Sequence, residues 1–186
     1  MRRTFITGIL IALTALVVLM LPQPGTMTQA AVSAASLTLD VACDGNSFSL
    51  NRITPSALGI HRGDNYVLNG TIYAGGTIPE GGTKSSPSSF GPDQGGGIGV
   101  WFCRGTFLVD GSQFTSEKIQ RATTHYFAMN DKNRIFTEGF EGSVDINRAV
   151  TGGVGTYAGA RGLVTMQRLG VNATGSYNLR FTFTLQ

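Results

Sequence analysis

The chain has 186 residues, 26 of them glycine, and only 13% of residues are charged. Its formal charge of +3 falls to about +1 once Arg2 and Arg3 are set aside with the leader they begin, and the remaining Lys and Arg are scattered singly. That excludes a nucleic-acid partner and argues against a helical bundle, in favour of a turn-rich β structure.

The first element is an export signal. Arg2 and Arg3 precede an uncharged apolar run from Phe5 to Leu21, then Pro22, Pro24 and the small-residue stretch Ala30-Ala31-Val32-Ser33-Ala34-Ala35. Positive end, apolar core and small-residue site are the layout of a cleaved secretory signal peptide over 1–35, with cleavage within 30–35. The alternative is a retained anchor, since the run is near the lower length limit of a spanning helix; the prolines and the Ala/Ser cluster favour cleavage. Arg2-Arg3 fits twin-arginine as well as Sec export. The expectation is a secreted protein with no membrane anchor after cleavage.

Residues 36–186 are long enough for one domain with its own core. No segment holds helical spacing for three turns, and period-2 alternation recurs. Expected strands are Ser36–Cys43, Phe48–Ile53, Tyr66–Ala74, Ile98–Val109, Ala122–Met129, Arg134–Phe140, Ser143–Ala149, Gly159–Arg168 and Gly175–Leu185. The last is the clearest: Tyr177, Leu179, Phe181, Phe183 and Leu185 alternate with Asn178, Arg180, Thr182 and Thr184. One buried and one wet face describe an antiparallel wall. Eight or nine such strands in one sheet would curl, and closure removes the exposed edges. Residues 77–97, rich in Gly, Pro and Ser, interrupt the pattern as a long loop, either a lid or a disordered segment; Phe90 is its single aromatic. The sequons at Asn69 and Asn172 fall in strand sequence and are uninformative.

Chemistry-bearing residues are few. There is no nucleophile elbow, P-loop or dinucleotide fingerprint, so no cofactor is expected. Two cysteines and two histidines lie too far apart in sequence for a zinc motif, so no metal is expected. In an exported chain Cys43 and Cys103 are expected to form a disulfide, closing a loop of about 60 residues worth ~4 kcal/mol. His61 sits in a polar turn. His125 lies mid-strand and is either a cavity acid/base or a satisfied wall residue. Glu138 and Glu141, at odd spacing, face opposite ways. Glu138 shares its face with Arg134, Phe136 and Phe140. If that face lines a lumen, Glu138 is a raised-pKa proton donor; otherwise it pairs with Arg134 at the surface. Tyr73, Trp101, Tyr126 and Phe136 are candidate aromatic ligand contacts. Arg104 lines a cavity or marks a subunit contact.

The run Ala149-Val150-Thr151-Gly152-Gly153-Val154-Gly155-Thr156-Tyr157-Ala158-Gly159-Ala160-Arg161-Gly162 resembles the signature turn of the allene oxide cyclase and dirigent families. The glycines permit positive φ in a tight crossing, and Tyr157 can plug a barrel end. The resemblance implies a closed eight-stranded antiparallel β-barrel, often trimeric in the plant members, so a homotrimer or dimer is expected. It implies an apolar lumen that guides a small molecule through cyclisation or coupling. The expectation is an exported barrel binding a small apolar molecule, acting as a cofactor-free cyclase or isomerase. The alternatives are a lipocalin-like carrier and a structural or cell-surface protein with a filled barrel.

Overall fold

In the computed structural model the described residues are 35–186, apart from 56–57, 116–118 and 143–145; the expected leader lies outside them. Eight strands follow one another: β1 (Ala35–Asn51), β2 (Asn65–Ala74), β3 (Gly99–Phe107), β4 (Arg121–Ala128), β5 (Arg134–Glu141), β6 (Ile146–Val154), β7 (Gly162–Val171) and β8 (Tyr177–Leu185). Each pairs antiparallel with the next, and β8 returns to β1, closing the barrel.

Two expected strands are one. Ser36–Cys43 and Phe48–Ile53 belong to the single strand β1, whose pairing with β2 shifts register between Asp44 and Ser49. Asp44 builds that bulge: its carboxylate accepts from the Asn46 amide at 2.9 Å and its carbonyl from the Ser47 hydroxyl at 2.7 Å. A bulge bends a strand without ending it, so a turn signal in sequence becomes a corner in the wall. Of the expected Ser143–Ala149 strand, 143–145 fall outside the described residues and β6 begins at Ile146.

Alternation sorts each strand between lumen and exterior. Leu39, Val41, Trp101, Cys103, His125, Phe127, Ile135, Val164, Phe181 and Phe183 are buried and share one packed interior that runs from β1 around to β8. One end of the lumen is filled by aromatic edges: Phe127 lies 4.9 Å from Phe181 and 5.1 Å from Phe183, centroid to centroid. Each such ring contributes on the order of 1.5–3 kcal/mol through burial. Tyr157 packs against this interior, as the Gly-rich turn implies. At the close of that turn Gly162 has φ 137°, and a Cβ there would meet the Thr184 carbonyl oxygen. Gly162→Ala is therefore expected to cost about 1–3 kcal/mol, read as a lowered urea midpoint at unchanged m-value; an unshifted midpoint would show that the turn relaxes freely.

Residues 77–97 pack as a strap on the exterior of the wall, not over the lumen. Ile78 and Phe90 cover Tyr73, Ala42 and Leu169, with Phe90 edge-on to Tyr73 at 5.0 Å. The Tyr73 hydroxyl donates to the Gln94 carbonyl at 2.9 Å. Asp40, fully buried, anchors the strap by accepting from the Ile78 amide (2.9 Å) and from Arg180 (2.8 and 3.0 Å). Asp40→Ala leaves the Ile78 N–H and the Arg180 guanidinium without that partner. The expected result is faster amide exchange through the strap, with barrel-strand amides still protected. Uniform loss of protection across the barrel would refute a local latch.

Candidate functional site

The end of the barrel opposite the phenylalanines is hollow. A cavity of ≈ 340 Å³ is lined by Cys43, Tyr66, Leu68, Trp101, Cys103, Arg121, Glu141, Met166, Arg168 and Tyr177, among others. Its polar floor comes from β4, β5 and β6. Period 2 places Arg121, Thr123 and His125 on the lumenal face of β4, and Thr137 and Glu141 on that of β5. Gly139 lies between those two without a side chain, and an added Cβ there would come within 3.1 Å of Arg148 Cγ. That space lets the Arg148 chain cross the floor.

Glu141 is the hub. Its Oε1 accepts from Arg148 Nη1 at 3.0 Å and from the Thr123 hydroxyl at 3.1 Å. Arg121 Nε lies 3.2 Å from Oε2, and His125 Nε2 lies 2.7 Å from Oε1. These last two contacts are close but poorly aligned as hydrogen bonds, and neither ring nitrogen of His125 has an aligned partner among the described residues. Their attraction is therefore charge–charge and dipolar in the main. Arg148 also donates Nη2 to the Thr123 carbonyl at 2.8 Å.

The electrostatics follow from burial and charge. Burial alone would raise the Glu141 carboxyl, but His125, Arg121 and Arg148 outweigh it and hold the group down at about 2. Burial pulls His125 down to about 4, against the opposing pull of Glu141. The floor thus presents an ionised carboxylate and, near neutral pH, an uncharged imidazole. Burial, with the negative Glu141 nearby, pushes the Cys103 thiol up to about 12. Cys43 is raised by burial and then by Cys103, and Tyr66 by the same two causes in the same order. Both cysteines and the phenol stay protonated.

The sequence-expected residues divide between two faces. His125 and Trp101 point into the lumen, their rings 4.9 Å apart and edge to face. Glu138 does not: it pairs across the sheet with Thr124, which pairs with Arg104, and both ionic side chains are exposed on the outer wall. Glu138 therefore does not line the lumen. Tyr126 and Phe136, 5.7 Å apart, are on that outer wall too, because they alternate with His125 and Ile135. Tyr73 also points outward, beneath the strap. The outer wall of β3–β5 forms a wider groove of ≈ 990 Å³ around Phe102, Arg104, Tyr126 and Glu138. It is an open surface, with Phe140 53% exposed, and lacks the enclosure that desolvates a ligand.

The expected disulfide is also corrected: Cys43 and Cys103 are free thiols. Strand β2 lies between them, with Cys43 opposite Gly70 and Cys103 opposite Leu68. Two strand spacings put their Cα atoms about 9.5 Å apart before any stagger, beyond the roughly 7 Å that a bridge spans.

The sequence pattern places Glu141 on the face opposite Glu138, as found, but assigns no site role to it or to Arg121, Arg148 or Tyr66. The available signal was the His125 alternation carried four residues back along β4 to Arg121 and across to Glu141 on β5.

No family model matches the chain, and no curated protein does. Solved structures do. A pterocarpan synthase dirigent protein superposes with TM-score 0.56 at 14% identity, over 88% of this chain and 93% of its own. The fold is that of the dirigent barrel. A second pterocarpan synthase dirigent protein gives TM-score 0.54 at 13% identity, over 82% and 94% of the two chains. A pyocyanin demethylase gives 0.52 at 15% identity, over 82% of this chain and all of its own. The dirigent resemblance of the Gly-rich turn thus holds at the level of the fold.

Proposed function

We propose that the barrel binds a small, mostly apolar molecule carrying an acceptor oxygen, such as a ketone, in its lumen, and promotes an isomerisation or ring closure of it without a cofactor. One observation carries this reading. The cavity lining mixes apolar side chains with Arg121, Glu141 and Arg168, and the buried Nε1–H of Trp101, one of the lining residues, has no acceptor among the described residues. A buried N–H left unpaired costs on the order of 1–3 kcal/mol, and a ligand oxygen removes that cost. The Tyr66 hydroxyl accepts from Cys103 Sγ at 3.7 Å, so its own proton remains to be donated. Arg121 supplies fixed positive charge on the same wall.

Donors aimed at one oxygen stabilise the negative charge that grows on it as a carbonyl is polarised. The reaction class that needs only this, plus a cavity that folds the substrate into a reactive shape, is an intramolecular rearrangement. The solved dirigent neighbours are named as pterocarpan synthases, which is consistent with such chemistry. The leader makes the exported, extracytoplasmic protein the proposed setting, and a homo-oligomer the proposed assembly. A carrier without turnover is the second reading. It is favoured by Glu141, whose ionised carboxyl at about 2 is too weak a base to take a proton from carbon.

Trp101 is the one tryptophan in the chain, so its emission reports on the cavity. Prodan, an apolar naphthyl ketone, is expected to quench Trp101 saturably by energy transfer. The same naphthalene without the ketone should bind about fivefold more weakly, the value of one hydrogen bond of ~1 kcal/mol. Non-saturable quenching, or equal affinity for the two probes, would overturn the reading. Enantiomeric excess in the ring-closed product of a ketone-bearing diene then separates catalyst from carrier.

A further inference from the structure

Cys103 and Glu141 on the cavity lining, with the buried His125 beside them, form a second set of groups that binding of an apolar ketone does not use. Cys103 and His125 are direct cross-strand partners on β3 and β4, both facing inward. One ligand atom each from Cys103, His125 and Glu141 lie within 4.8 Å of one another. Two more sulfur groups, the Cys43 thiol and the Met166 thioether, line the same cavity.

We propose that Cys103 Sγ and a ring nitrogen of His125 are the principal ligands of a Cu(I) site, with the Cys43 and Met166 sulfurs on the adjoining cavity wall. Three features point there. First, His125 is 1% exposed, yet neither ring nitrogen has an aligned hydrogen-bond partner. A buried imidazole with its lone pair unspent is held ready for something. Second, the donors are soft: thiol, thioether and imidazole are the set that selects Cu(I) over harder cations. Third, the local charge argues for a monovalent ion. Glu141 is already engaged by Arg121 and Arg148, so its carboxylate is neutralised and the surroundings carry net positive charge. A divalent ion would add one net charge to this buried floor even after displacing the Cys103 proton. Cu(I) adds none, because the ion displaces the Cys103 thiol proton: Cys103–SH and Cu⁺ give Cys103–S–Cu and H⁺, with no change of oxidation state.

The experiment uses the whole barrel protein, copper-free, under anaerobic conditions. Cu(I) is presented as its coloured bicinchoninate complex, and the loss of that colour counts the ions withdrawn. The expected result is one Cu(I) per chain, accompanied by quenching of Trp101, whose ring is 4.9 Å from that of His125. Cys103→Ser, nearly isosteric, should weaken binding about 100-fold or more, beyond what an outer contact is worth, while its urea midpoint stays near wild type. Zn²⁺ in excess should not prevent Cu(I) uptake. No withdrawal of copper by wild type, equal withdrawal by folded Cys103→Ser, or displacement of Cu(I) by Zn²⁺ would each overturn the proposal. Prodan affinity of the copper-free protein is read separately, so the apolar-ligand reading stands or falls by itself.

Discussion

Replacing Glu141 with alanine is expected to destabilise the barrel by about 3–5 kcal/mol, the cost of breaking a buried ion pair by removing one partner. Glu141 is 6% exposed, and Arg148 is 1% exposed. Without the carboxylate, the Arg148 guanidinium keeps its bonds to Thr123 but has no counter-charge within the lumen. Arg121 is better placed, with 24% of its side chain exposed, and can swing toward solvent. Arg148 therefore dominates the loss. Replacing the pair together, as Glu141→Leu with Arg148→Met, removes the stranded charge and is expected to recover a large part of the stability. Urea unfolding of wild type, single and double variants makes the comparison, with the midpoint read at constant m-value. A single variant within about 1 kcal/mol of wild type, the ordinary range for a surface pair, would show that Arg148 finds water inside the cavity. In that case the cavity would be wetter and larger in solution than its lining suggests.

The same cluster shows where the sequence was legible. The strand pattern was strong wherever one face was wet: β8 alternates Phe and Leu with Thr, Asn and Arg, and the structure follows it from Phe181 to Leu185, while the strap buries Asn178 on the outer face. The closed eight-stranded barrel followed from strand count and from the Gly-rich turn. Faces were harder where both sides are apolar. Trp101 and Phe102 are neighbours of similar character, yet one is at 2% exposure and the other at 41%. Hydropathy cannot choose between them when the exterior is itself apolar. Tyr73 was misplaced for a related reason: its outward face is buried by a strap that was read as a lid or as disorder, so burial there has no counterpart in local pattern. The polar floor was missed because charged residues at strand ends normally mark a solvated rim. Arg121 ends the lumenal face of β4 and Glu141 ends that of β5, directly opposite each other. Only the tertiary closure, which brings Arg148 across from β6, turns a rim pair into a buried cluster. Glu138, three residues earlier, had the better local context and the wrong parity.

Acid is expected to unfold this protein in two stages, and the first belongs to His125. In the native state burial holds its imidazole at about 4, whereas in the unfolded chain it titrates near 6.5. The unfolded state therefore binds a proton that the native state refuses over this interval. Stability contributed by the neutral imidazole is fully present above about pH 6.5, and it falls as the pH drops toward 4. The loss across that window is about 3 kcal/mol, at 1.36 kcal/mol for each unit of difference. Below it the carboxylate takes over: Glu141 is held at about 2 in the native state against an ordinary value of 4.5, so its contribution disappears as the pH falls from the higher value to the lower. Both limbs have the same sign, and neither group opposes them at alkaline pH. The measurement is a series of urea midpoints from about pH 7 down to about pH 2, repeated on His125→Phe. Phenylalanine keeps the edge-to-face packing that His125 makes with Trp101 and Phe181 and cannot titrate. Its expected curve is flatter between about pH 6.5 and pH 4, with a smaller carboxylate limb below, because Glu141 is then held down by Arg121 and Arg148 without His125. A wild-type midpoint unchanged down to about pH 4.5 would mean that the folded imidazole reaches solvent or accepts its proton in place, paired with Glu141. If His125→Phe kept the full slope, the first limb would have to be assigned to other groups.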